Sequence, residues 1–579
     1  MRRLTVTLLG LAAASCGTKS TSSDEVRVTD TASVPVDGDT AADSGVDSSD
    51  PGATDTAAGT DSGDPGTDTG EPPPPPGWRS ALFPDDWTPG FSIETETDLS
   101  AALQDYSYAG YRAGEEPLPT VTLDGSVSVL DHGADATGLL DSTDAIQAAI
   151  DAVAELGGGV VYLPAGSYRV DGMLSVTHSD TIVAGDGAAE SFISFTRSDG
   201  MSDTNHLQFS GGLSAGTPTA LASDVGPGDK ILPLSTAGDF SVGDRVGVGM
   251  VISEDFVSDH EMDGLWTFAA GDRRTIFKRT ITDIDADSSP PTVTIDVPIR
   301  YPMLVRDGAD VRRESGAITG CAMEGISVST AVDWSAAWSN DRSHAVGFLY
   351  AEDCWVRDLG SWAGLVGDED HHLQSGGILI KQSRRMTVAD STLEKAQNRG
   401  GGGNGYLYEI MQSDEVLIRD STGRAGRHNF IQNWDFGTTG CVFLRTVSED
   451  GEAWADSSGW WAPMGASEYH HALAMANLVD HSTVHDGWAA KNRMTWSSGA
   501  GHSATQCVFW NTAGTGSLES LQYGMGYVIG TDGLTVRTEV IDFYDSEGTG
   551  PEDWVEGIDE GADLWPPSLY EEQLRRRGF

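Results

Sequence analysis

The chain has 579 residues, with 88 acidic against 35 basic side chains, a formal net charge of −53, and 71 glycines. So acidic a surface repels phosphate backbones and anionic lipid headgroups, which excludes nucleic acid and a charged membrane face as partners. The glycine content implies many turns.

The opening "MRRLTVTLLGLAAASCG" sets two arginines before an apolar run too short to span a bilayer, then small residues before Cys16. It is expected to be an export signal over 1–16. It resembles a bacterial lipoprotein signal, which implies acylation of Cys16 and, with Gly17 following, an outer-membrane anchor at the cell surface or periplasmic face. Ordinary cleavage and secretion is the alternative. Residues 17–77 are Thr, Ser, Asp, Gly and Pro with almost nothing to bury, so they cannot offset their ordering entropy and read as a tether.

The strongest folding signal is "VLDHGADATGLLDSTDAIQAAIDAVAELGGGVVYLPAGSYRV", from Val129 to Val170. Ala145, Ile146, Ala149, Ile150 and Val153 recur at helical spacing, "GGG" ends the helix, and "VVYLP" reads as a buried strand. Through His132, Gly133, Ala134, Asp141, Thr143, Ala145, Ile146, Gln147, Ile150, Gly158, Gly159, Val160, Pro164, Ala165, Gly166 and Tyr168 the segment resembles the amino-terminal cap of the pectate lyase superfamily. These are the right-handed parallel β-helix proteins related to polygalacturonases, rhamnogalacturonases and phage tailspikes. The resemblance implies an all-β solenoid acting on polysaccharide, and a trimer if the chain is tailspike-like.

A solenoid requires coils of roughly constant length. "EGISVST", "CWVRDLG", "RMTVADS", "EVLIRDS", "CVFLRTV", "NLVDHST", "CVFWNTA" and "GLTVRTE" share a β-branched or aromatic core followed by a polar turn. With Ile326, Val356, Val388, Ile418 and Leu444 as equivalent points, they predict successive rungs of one β-helix over 78–560. Residues 221–301 alternate strands with Gly-Asp turns and predict an inserted antiparallel module. Residues 561–579 hold the capping box Ser568-x-x-Glu571 and arginines 575 to 577, predicting a short helix that covers the last rung. Cys321, Cys354, Cys441 and Cys507 match no zinc pattern and read as packing residues, with a disulfide among them left open.

Residues 424–511 hold six of the 13 histidines, and seven of the 16 tryptophans lie within 434–510. Aromatic faces stack on sugars, and imidazole, guanidinium and carboxylate bind hydroxyls or move protons. Lys491, Arg493, Arg427, His428, Asp435 and His471 are the candidate catalytic residues. Arg424, Trp434, Trp461, Trp488 and His502 are candidate substrate ligands. The predicted function is depolymerisation of an anionic polysaccharide. In a lyase, Lys491, Arg493, Arg427, His471 and His502 could share the base and cation roles; in a glycosidase, Asp435, Glu468 and Asp486 could supply the carboxyl pair. A non-catalytic glycan-binding adhesin and a C5-epimerase are the alternatives. The catalytic signatures of polygalacturonases and pectate lyases are absent, so no role is carried over from them. Rung geometry takes His481 and His485 off a common helical face, and no metal site is assigned. Asp368, Glu369 and Asp370 are a candidate calcium turn whose plainer reading is a solvated loop. His470 and His471, as strand neighbours, should point to opposite faces.

Overall fold

The computed structural model describes residues 77–95, 100–462, 465–538 and 553–579; Cys16, the expected leader and the tether lie outside them. The described chain coils as a right-handed parallel β-helix whose turns each give up to three short strands. One coil runs Gly376–Lys381, Thr387–Ala389 and Thr392–Glu394 before the next begins at Tyr406–Met411. The first strands of the coils build a ten-stranded parallel sheet from Leu174–Val176 to Thr535–Arg537. Second and third strands stack into two further faces, and apolar side chains of all three fill the interior.

In-register pairing puts equivalent residues in columns. In the second sheet Met323, Val356, Val388, Ile418, Phe443 and Val479 lie one above another. Ile326 pairs instead with Leu359, and Leu444 with Arg419, so the expected equivalences drift by three residues and by one. "GLTVRTE" supplies a strand of the first sheet, not the second. Between second and third strands the chain turns on Asp390, Asp420, Arg445 and His481, all with φ near +50°. Their amides donate to carbonyls of the next coil at 2.8–3.3 Å, a bond that offsets the cost of the left-handed backbone.

The helix Thr143–Glu155 closes the first coil with Ile146, Ala149, Ile150 and Val153 buried. It stops at Gly157 to Gly159, which hold φ of 84–143°. The antiparallel module is wider than 221–301: strands from Ser214–Ala215 to Asp310–Ser315 belong to it, because Asp310–Ser315 pairs with Val246 to Gly249 and closes its sheet. It sits on the corners of the helix. Arg300 makes a two-pronged pair with Glu415 at 2.9 and 3.0 Å, and Lys278 and Arg279 reach Asp414, all buried.

The helix Leu569–Arg577 has the N-cap half of the expected capping box, Ser568 accepting from the Glu571 amide at 3.1 Å, while the Glu571 carboxylate pairs with Arg445 at 2.7 Å. It does not cover the last rung. The outer face of the second sheet carries Leu417, Val442, Leu444, Leu478, Val508 and Trp510, an apolar surface that must be shielded from water, and the helix lies there with Leu82, Phe83 and Tyr106. Asp480, buried under it and pushed up to about 7 by desolvation, accepts from Ser568 Oγ and the Leu569 and Tyr570 amides. The four cysteines are buried free thiols, and the Cys321 amide lies 3.3 Å from Cys354 Sγ on the next coil.

Replacing Glu415 with Ala leaves Arg300 charged without its carboxylate partner in the interior and Arg279 with Asp414 alone, at 4.0 Å. A loss of about 3–5 kcal/mol is expected in denaturant unfolding of the full chain.

Candidate functional site

The first sheet presents one column outward: Glu409, Ile431, Glu468, Ala489, Glu519 and Arg537 are paired in sequence along it. Ile431 and Ala489 separate the acids, so Glu468 and Glu519 stand two coils, roughly 10 Å, apart. Over this stretch opens a cleft of about 190 Å³ whose lining includes Arg427, His428, Glu468, Lys491, Arg493 and Trp496.

Glu468 is the floor of this cleft. Its Oε2 receives Arg493 Nη1 at 2.5 Å, while Oε1 stands 3.4 Å from His428 Nε2 and 3.6 Å from His470 Nε2. Burial would raise this carboxyl, but the cations Arg493, Lys491 and Arg427 oppose it and hold the group below the ordinary carboxylate range. Burial pushes His428 down to about 4 and His470 further, so both imidazoles are neutral. His428 Nδ1 lies 2.5 Å from the Ala466 carbonyl, which can only accept; the proton is therefore on Nδ1 and the Nε2 lone pair faces Glu468. Tyr406, in register with His428, packs its ring 5.1 Å away. At the mouth Lys491 Nζ meets Glu519 at 2.6 Å, and Arg537 takes the other oxygen of Glu519 at 3.2 Å. Arg427 donates to the Gly400 carbonyl at 2.6 Å.

Of the eleven residues expected from sequence, Arg427, His428, Lys491 and Arg493 meet in this cleft. Trp488 also borders the cleft, and the remaining described ones lie elsewhere. Trp488 points inward, stacked 5.8 Å from Phe430 and edge-on to Phe443 at 5.0 Å, because Ser467 on the coil between is too small to fill the interior. Its ring cannot reach a sugar. Asp435 pairs with Arg274 of the inserted module at 2.7 Å, which takes it out of the candidate carboxyl set. Trp434 stacks on His471 at 4.1 Å, with Phe268 of the module 4.5 Å from the same imidazole. His502 packs on Tyr523 at 5.0 Å. These residues hold the module to the helix. Arg424 pairs with Glu394 and Glu449 on the third sheet. The Trp461 side chain lies outside the described residues. Asp486 lines the cleft but accepts from Asn429, Ser448 and the Gly451 amide, a positioning network rather than a reactive acid.

His470 and His471 do not diverge across a strand. The strand ends at Tyr469, and their near-parallel rings lie 6.3 Å apart. Sequence reasoning gave no role to Tyr406, Trp496 or Glu519, and counted His470 without choosing it for the site. Only the spacing of "GYLYEI" before "RHNFIQ" hinted that Tyr406 and His428 share a column. Asp368 bonds His371 at 2.6 Å, while Glu369 and Asp370 are exposed. His481 is exposed at a corner, and His485 contacts Thr515 at 3.1 Å.

With this geometry in view, the relatives can be placed. Residues 126–225 match the family described as Rhamnogalacturonase A/epimerase, pectate lyase-like. The pectate lyase-like region includes the first coils and their capping helix, below the cleft. Alginate lyase 7 of Azotobacter vinelandii is 48% identical over 73 residues, 11% of this chain and 8% of that protein. Mannuronan C5-epimerase AlgE5 of the same organism is 48% identical over 73 residues, 11% of this chain and 7% of its own length. The chain thus spans under a tenth of these curated relatives. Among solved structures, the Gp54 tailspike of Acinetobacter baumannii bacteriophage AP22 aligns over 75% of this chain and 69% of its own, at 12% identity and TM-score 0.43.

His260 and His502, buried where the module meets the helix, are both pushed down to about 4 by desolvation. The unfolded chain, with histidines near 6.5, binds more protons between those values, so stability is full above about pH 6.5 and falls as pH drops toward 4. A melting temperature that declines across that window, less steeply in His502→Asn, is the expected outcome.

Proposed function

We propose that this protein acts on an anionic, uronate-bearing polysaccharide by removing the proton α to a carboxylate, as a lyase or a C5-epimerase. The observation that carries this reading is the gathering of Arg427, Lys491 and Arg493 on one cleft of a chain with net charge −53. The same lining holds Glu468, Asp486 and Glu519, so a polyanion would be bound by cations that exchange these partners for its carboxylates, and in a partly desolvated cleft they would stabilise the enolate that proton loss creates. Hydrolysis is less well served, since it needs a carboxyl group held protonated beside the glycosidic oxygen. Glu468 is held ionised and Glu519 is shared by Lys491 and Arg537; Asp486, which burial raises, is taken up by Asn429, Ser448 and the Gly451 and Gly487 amides. The guanidiniums are assigned to the substrate carboxylate; Lys491, which must first give up a proton to solvent and its contact with Glu519 to act as a base, is assigned the transfer. The named activities of the alginate lyase and mannuronan epimerase relatives are compatible with this choice and suggest alginate as the first substrate to try. Acylation of Cys16 would tether the enzyme at the outer membrane.

The full chain should be incubated with alginate, pectin and hyaluronan in deuterated buffer, following ultraviolet absorbance of new double bonds, reducing ends and deuterium at C5. Absorbance with reducing ends marks a lyase, and deuterium without chain cleavage an epimerase. Lys491→Ala and Lys491→Arg should both lower kcat by about 10²–10⁴-fold, whereas Arg427→Ala should chiefly raise KM. An active Lys491→Arg enzyme would reduce the lysine to a charge. Reducing ends without absorbance would make the protein a hydrolase, and binding without any product an adhesin.

A further inference from the structure

We infer that His428, Glu468 and His470 form a zinc site at the floor of the cleft. Their donor atoms, two imidazole nitrogens and one carboxylate oxygen, all lie within 4.8 Å of one another and all three residues are buried. The two measured edges, 3.4 Å from His428 Nε2 to Glu468 Oε1 and 3.6 Å from His470 Nε2 to the same oxygen, are long for hydrogen bonds. They suit a shared cation: ligands about 2.0–2.1 Å from a tetrahedral zinc stand about 3.4 Å from each other.

A second observation points the same way. His428 Nε2 and Glu468 Oε1 are buried with no hydrogen-bond partner among the described residues, a pair of orphans that no hydrogen bond compensates. Arg493 engages Glu468 only through Oε2, leaving Oε1 for the ion and fixing the carboxylate plane. The Ala466 carbonyl on His428 Nδ1 is the outer contact that orients a ligating imidazole. Two imidazoles and one carboxylate suit zinc and its first-row neighbours; calcium and magnesium prefer all-oxygen sets. Three protein ligands leave a fourth position for a water or another ligand, and His428 and Glu468 are also among the residues that line the cleft. That this ligand is a uronate carboxylate rests on the proposed function; the zinc site itself does not.

The test is direct metal measurement on the full chain, purified without an affinity histidine tag and dialysed against zinc. One zinc per chain is expected, together with a zinc X-ray absorption spectrum fitted by two imidazoles and oxygen. His470→Asn and Glu468→Gln should abolish stoichiometric binding while circular dichroism stays that of the wild type. A wild-type chain without zinc after dialysis, a spectrum lacking imidazole, or folded variants that retain one zinc would each overturn the site. The spectrum on wild-type protein decides the matter even if a variant fails to fold. Zinc binding with no turnover of any glycan would leave the site standing and remove the proposed function; turnover by a zinc-free chain would do the reverse.

Discussion

The β-helix and its cleft depend on the parallel hydrogen-bonded ladder between coils. Once one coil is laid in register on another, equivalent residues are forced into columns about 4.8 Å apart. A side chain then acts through its column: Tyr408 and Phe430 stack at 4.8 Å in the interior, while Glu468 and Glu519 face outward two coils apart. The same ladder lets residues distant in sequence, His428 and Arg493, converge on one carboxylate.

The ladder leaves corners and one apolar flank unsatisfied, and the rest of the chain is spent on them. The inserted module carries its cations to Asp414 and Glu415 at the corners, where burying an acid alone would be costly. The amino-terminal segment and the last helix cover the flank of Leu478, Val508 and Trp510. Histidines and tryptophans that look catalytic in a list of residues, such as His502 and Trp434, belong to these contacts. Buried aromatic packing and sugar stacking draw on the same residue types, so enrichment alone cannot separate them.

What separates the cleft from the packing is charge that is incompletely neutralised. Glu415 is enclosed by Arg300 and Arg279, and nothing is left for a ligand. Glu468 has one oxygen satisfied by Arg493 and another facing two neutral imidazoles, beside Arg427 and Lys491 at an open surface. That imbalance supports both a polyanionic substrate and a bound cation.

The sequence by itself determined the coil class and its beginning: the helix at 143–155, the glycines that end it and the β-branched runs are local choices, set by backbone conformation and period. The Ser568 cap was legible for the same reason. Register was not, because a shift of one to three residues preserves the apolar pattern, as Ile326 and Leu444 demonstrate. Without register, Arg427, Lys491 and Arg493 could be chosen for their charge, but Tyr406 and His470 could not be placed beside them, nor Trp488 and Asp435 removed. Only the stacked coils decided which side chains share a column, because that depends on the loop lengths between strands and on which small residue, here Ser467, leaves space for a neighbour's ring.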